Sequence, residues 1–102
     1  MNIGDIKKVE ILFKELIAIL NKYGDSTISN QKRIVEDTID FIEDNTIEDD
    51  KKIIEIEQNY KMLYPAHGGL SEFYIWDNDF EKRKKLNEPL DKVTEELWEI
   101  FK

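Results

Sequence analysis

The sequence predicts an all-α protein: a single helical domain over residues 1–102, built as an irregular bundle of four to five helices with one aromatic and glycine-rich loop at 64–78. Three observations carry that prediction. Apolar residues recur at three- and four-residue intervals along most of the chain. Turn-forming and capping residues fall between the periodic stretches. The chain has 102 residues, no cysteine and 40% hydrophobic content, which suits one modest core that hides roughly 60–70% of the unfolded surface. Its 15 isoleucines would favour strands by propensity, but their spacing is helical, and period outranks propensity.

The elements follow in order. Ile3, Ile6, Val9, Leu12, Phe13, Leu16, Ile17, Leu20 and Tyr23 lie on one stripe, which predicts a long helix over 3–23, the spine of the bundle. Gly24 suits a left-handed position after its end. Asp25-Ser26-Thr27 is a turn cluster, with Thr27, Ser29 or Asn30 as cap for a helix over 30–44 whose inner side is Ile34, Val35, Thr38, Ile39, Phe41 and Ile42. Asn45 with Glu48 fits a capping box before a third helix over 47–62, carrying Ile47, Ile53, Ile54, Ile56, Tyr60 and Leu63. Periodicity stops at Tyr64-Pro65-Ala66-His67-Gly68-Gly69. Proline pushes Tyr64 out of the helical region, and the glycine pair permits positive φ. Ser71–Trp76 reads equally as a short extended piece or a helical turn. Asn78 with Glu81 suggests a short helix over 79–86. Asn87 then caps the last helix, with Pro89 in its first turn, where a missing N–H costs little, and Leu90, Val93, Leu97, Trp98 and Phe101 as its buried stripe. The core candidates are Ile6, Leu12, Leu16, Leu20, Ile39, Ile53, Leu90, Leu97 and Phe101.

Composition limits function. Fifteen Lys and Arg against 23 Asp and Glu give a formal net charge of −8. That balance argues against nucleic-acid binding, which needs clustered bases to meet phosphates. Lys82-Arg83-Lys84-Lys85 is the densest basic run, and neighbouring acids offset it. The most apolar window, 11–20, is interrupted by Lys14 and Glu15 and is about half a membrane span. No signal-peptide pattern opens the chain. A cytoplasmic protein that touches no membrane is the expectation, and the lack of cysteine agrees with it.

The charge is not spread evenly. Glu36, Asp37, Asp40, Glu43, Asp44, Glu48, Asp49 and Asp50 place eight acids within 17 residues that hold no Lys or Arg, while the rest of the chain has 15 of each sign. Glu36, Asp40, Glu43 and Asp44 share a helix face through three- and four-residue spacings, where like charges repel. One reading is a negative patch that docks a basic protein partner, speeding association and setting specificity. The plainer reading is a solvated face that keeps the chain soluble.

Other chemistry finds little support. Asp77, Asp79, Glu81 and Glu88 stand at positions 1, 3, 5 and 12 of a would-be calcium loop. The required glycine at position 6 is Lys82, with three more bases behind it, so no metal site is expected. His67, the only histidine, lacks the partners of a zinc site or a catalytic triad. Gly68-Gly69 is not a phosphate loop. No catalytic residue and no cofactor are expected. The loop remains the densest aromatic stretch. Tyr64, Tyr74 and Trp76, with His67 between, are candidate contact residues because rigid aromatics favour interfaces. In the plainer reading they plug one end of the bundle.

The run Gly68-Gly69-Leu70-Ser71-Glu72-Phe73-Tyr74-Ile75-Trp76, followed by Asn87-Glu88-Pro89-Leu90 and Glu96-Leu97-Trp98, resembles a family of small uncharacterised bacterial proteins. That family carries a Gly-Gly-Leu-Ser-acid-Phe-aromatic-aliphatic-Trp signature. The resemblance covers residues 64–101 and brings no catalytic residue. Families of this size and acidity often accompany toxins as immunity proteins, and that association suggests an immunity-type role; the resemblance itself names a family and no mechanism. The resulting expectation is a non-enzymatic interaction module whose candidate contacts are Glu36, Asp37, Asp40, Glu43, Asp44, Asp49, Tyr64, His67, Tyr74 and Trp76. A self-associating structural or regulatory module, a homodimer, is the second expectation, and a small enzyme the third.

Overall fold

Helical spacing of the apolar residues produces four α-helices among the described residues. The structure is a computed structural model that describes residues 1–65 and 68–102. The candidate His67 lies outside the described residues. The first helix, α1 (Asp5–Tyr23), buries Ile6, Val9, Leu12, Phe13, Leu16 and Leu20 on one side. Its start is closed by a reciprocal pair: the Asn2 N–H donates to Asp5 Oδ2 at 2.9 Å, and the Asp5 N–H donates to Asn2 Oδ1 at 3.2 Å. The helix ends at Gly24, which is extended (φ −74°, ψ 152°), not left-handed as expected. Space demands glycine here, since a Cβ would strike the Leu20 carbonyl and sit 2.5 Å from Ile28 Cδ1.

A 3-10 turn, Ser26–Ile28, leads into α2 (Ser29–Glu43). None of the expected caps acts. Asp25 Oδ1 instead accepts from the Thr27 N–H at 2.9 Å and from its hydroxyl at 2.5 Å. The same device recurs before α3 (Asp49–Met62), where Asp44 Oδ1 accepts from the Thr46 N–H at 2.9 Å and its hydroxyl at 2.6 Å. The Asn45–Glu48 capping box does not form; Glu48 precedes the helix without a side-chain cap bond.

The loop turns through Gly68 and Gly69, both at positive φ (75° and 73°), as the glycine pair predicted. The Leu70 N–H donates to the Leu63 carbonyl at 2.9 Å and closes it. A 3-10 turn, Gly69–Glu72, comes next, and Phe73 opens an irregular stretch. Both readings of Ser71–Trp76 are thus partly realised. The two C-terminal helices expected from the sequence are one helix, α4 (Phe80–Phe101), with Pro89 inside it. At 22 residues it, and not α1, is the longest. Asp79, not Asn78, caps it, accepting from the Lys82 N–H at 3.2 Å.

Asn87, expected as a cap, is buried and clamps the loop to α4. Its Oδ1 accepts from the Ile75 N–H at 3.0 Å, and its Nδ2 donates to the Ile75 carbonyl at 2.9 Å and the Arg83 carbonyl at 2.8 Å. The helix runs on through Pro89, whose ring removes one bond of the ladder.

The α1 helix lies between α2 and α4, while α3 packs mainly on α2. The molecule is elongated, 47 × 24 × 23 Å. Leu16, Leu20, Val35, Ile56, Leu63 and Leu97 are among its fully enclosed side chains. Of the predicted core residues, Ile53 and Phe101 are only half-buried, as packing against the outside of the cluster. Trp98 leaves the predicted stripe and is 56% exposed. Two buried polar links tie α2 to α3: Asn59 Nδ2 donates to Thr38 Oγ1 at 2.8 Å, and Lys52 Nζ donates to the Ile42 carbonyl at 2.6 Å. No helix among the described residues is long and apolar enough to cross a membrane.

Candidate functional site

Two surfaces hold the sequence candidates, and they are different in kind. The first is the outer side of α2. Its inner side is committed to Val35, Thr38, Ile39 and Ile42, so helical geometry turns Glu36, Asp37, Asp40 and Glu43 outward. All four are exposed, as are Asp44, Glu48, Asp49 and Asp50 in the following turn and the start of α3. Among the described residues one ion pair touches this set: Lys14 Nζ of α1 lies 3.5 Å from Glu43 Oε2. The same ammonium lies 3.4 Å from Glu10 Oε2, and Lys7 lies 3.0 Å from Glu10 Oε1. The Lys7 hydrogen bond, with help from Lys14, holds the Glu10 carboxyl below its usual range against the opposing effect of burial. Asp44 is also held low, by the Thr46 hydroxyl and then the Thr46 N–H. Both are structural fixtures. The rest of the acidic face has its charge turned to solvent.

The second surface is aromatic, and the structure splits it. Tyr74 and Trp76 are exposed (54% and 67%), so they do not plug the bundle. Leu70 of this segment joins the core, with Tyr64 and Phe73 half-buried against it. Phe80, unremarked in the sequence, is 63% exposed as well. The Arg83 guanidinium lies over both rings, 4.7 Å from the Trp76 centroid and 5.3 Å from that of Phe80. The Trp76 indole N–H donates to Asn78 Oδ1 at 3.3 Å.

Tyr64 belongs elsewhere. With Tyr60, Asp91, Thr94, Glu95 and Trp98 it lines a groove of ≈ 510 Å³ at the seam between α3 and α4. Tyr60 stacks on Phe101 with centroids 4.0 Å apart, and its ring tilts 55° against Tyr64 at 5.3 Å. Burial pushes the Tyr64 phenol up to about 12, reinforced by Tyr60 and opposed by the Thr94 hydroxyl. Burial raises Tyr60 as well. Sequence reasoning missed this groove, although its signal was present. Asp91, Glu95 and Trp98 are spaced by four and three and share one face of α4, while Tyr60 stands in the last turn of α3 and Tyr64 two residues past its end.

The structure does not bring the acidic and aromatic candidates into one constellation. Among the described residues no group of three or more His, Asp or Glu side chains is placed to hold a metal ion. No protein-family model matches the chain, and no curated protein or solved structure matches it.

Proposed function

We propose that this chain is a non-enzymatic protein-interaction module that docks a basic partner through the outer face of α2. An immunity-type inhibitor of a basic toxin or effector is the sharpest form of that reading, and the cytoplasm its setting. One observation carries it: eight exposed acids run from Glu36 to Asp50, with a single ion pair among the described residues, in a chain that is otherwise balanced in charge. Unpaired like charges on one helix destabilise it, by about 0.2–0.5 kcal/mol for each close pair. The benefit of retaining them is a steered association with a positive surface.

The test compares wild type with a Glu36→Lys, Asp40→Lys, Glu43→Lys variant for retention of a basic protein from native lysate. The association rate of the captured protein is then measured at about 50 and 500 mM salt. The reading expects capture by wild type alone and a rate that falls steeply with salt. Equal rates at the two salt concentrations would sink it. The exposure of Trp76, Phe80 and Trp98 favours a second reading, a homodimer joined through aromatic contacts, in which the acids serve solubility.

A further inference from the structure

The α3–α4 groove combines features that neither the acidic face nor the Trp76 surface has. Its apolar walls are aromatic: Tyr60 and Tyr64 on one side, Trp98 on the other. Asp91 and Glu95, one helical turn apart on α4, line it as well and make no ion pair among the described residues. Its volume of ≈ 510 Å³ falls within the roughly 300–1,000 Å³ of small-molecule sites.

The geometry points to a site for a small organic cation, an alkylammonium head on a compact apolar body, seated between Trp98 and the two tyrosines with Asp91 and Glu95 as counter-charges. An aromatic face is negative at its centre and attracts a cation within about 6 Å. Apolar walls alone would serve a neutral ligand equally well; the two carboxylates select the positive one. The phenols add no charge at neutral pH, because burial pushes both tyrosines above the already high ordinary phenol value. A diffuse alkylammonium loses less hydration on entering such a groove than a metal ion would, and the groove offers too few oxygens to replace a metal's shell. The chain already uses this chemistry on its own cations. Lys102 Nζ lies 5.4 Å from the Trp98 ring centroid, and Arg83 rests on Trp76 and Phe80. Lys102 is paired with Glu99 at 2.8 Å, which leaves the groove carboxylates their charge. The inference does not depend on the docking role of α2.

Choline and its neutral carbon isostere 3,3-dimethylbutan-1-ol separate charge from shape. The readout is the pair of tryptophan indole N–H resonances in the full chain at low salt. The expected result is a saturable shift at Trp98 with choline, little movement at Trp76, and weakening by about fivefold or more with the isostere. In Asp91→Asn, Glu95→Gln, with an unchanged urea midpoint confirming the fold, choline affinity should fall to that of the isostere. Equal binding of choline and isostere to wild type would show a merely apolar groove and overturn the proposal. So would equal shifts at both tryptophans, or none. A lysine- and arginine-rich peptide that saturates the Trp98 shift far below the choline concentration would make the groove a peptide anchor, and the small-cation assignment fails.

Discussion

Asn87 shows how one side chain can fix a loop that has little regular structure of its own. It satisfies both backbone groups of Ile75 and the Arg83 carbonyl from a buried position. Removing it strands the N–H and carbonyl of Ile75, while the Arg83 carbonyl keeps its bond in the helical ladder; each buried unsatisfied group costs about 1–3 kcal/mol. Asn87→Ala should therefore lose about 2–4 kcal/mol in urea melts, some of the cost being relieved by water. A loss below about 1 kcal/mol would mean that the clamp is not formed in solution. The Asp25–Thr27 and Asp44–Thr46 turns make a second residue-scale case. The threonine hydroxyl, then its N–H, lowers each aspartate below its usual value. A depressed folded value means a stabilising contribution that is present above the unfolded value of about 3.9 and lost as pH falls through the folded one. Thr27→Val and Thr46→Val should raise the respective carboxyl toward its ordinary value, which a carbon-detected NMR titration reads directly. Their stability deficit against wild type should shrink in acid. No movement of the carboxyl would show that the hydroxyl bonds are not populated.

Along single elements, α2 and α4 show why the sequence was readable in part. The apolar periods of α1 and α2 survive in the fold within a few residues, because each helix has one face to bury and a period of 3.6 declares it; on α3 only Ile56 of the expected stripe is buried, Ile54 is exposed, and Lys52 and Asn59 take the inner positions because they bond to α2. The expected caps differ from the observed ones because the Asp two residues before a threonine bonds it through both hydroxyl and N–H in the turns ahead of α2 and α3, which then start without side-chain caps, a pattern that single-residue cap preference does not weigh. Pro89 was placed in a first turn because interior prolines cost about 3 kcal/mol. Asn87 instead bonds across to Ile75, a tertiary contact invisible to local rules, and the helix runs on past Pro89. The exposure of Asp40 on α2 was legible, and its energetic consequence follows. Glu36, Asp37, Glu43 and Asp44 surround it at helical spacings. Asp40→Lys converts four repulsions into attractions and should raise stability by about 0.5–1 kcal/mol at low salt, an effect that fades at high salt. A destabilised variant would show that Asp40 is held by something other than its helix.

For the whole molecule, charge and aromatic exposure pull in opposite directions. The net charge of −8 makes two copies repel, whereas exposed Trp76, Phe80 and Trp98 reward any contact that covers them. Their locations differ: the acids lie on α2 and the start of α3, the indoles on α4 and the segment before it. A contact through the indoles therefore need not bury the acids, and long-range repulsion is the main barrier to it. Salt acts on that barrier alone, since the Debye length shrinks from roughly 14 Å at 50 mM to about 4 Å at 500 mM. The docking reading expects a sedimentation coefficient independent of loading concentration at both salt levels, because the aromatic surfaces then belong to other ligands or to none. A concentration-dependent rise at high salt that disappears in Trp76→Ala, Trp98→Ala would assign those faces to a homodimer. The acidic face would then be the device that limits self-association, and the second reading would displace the first.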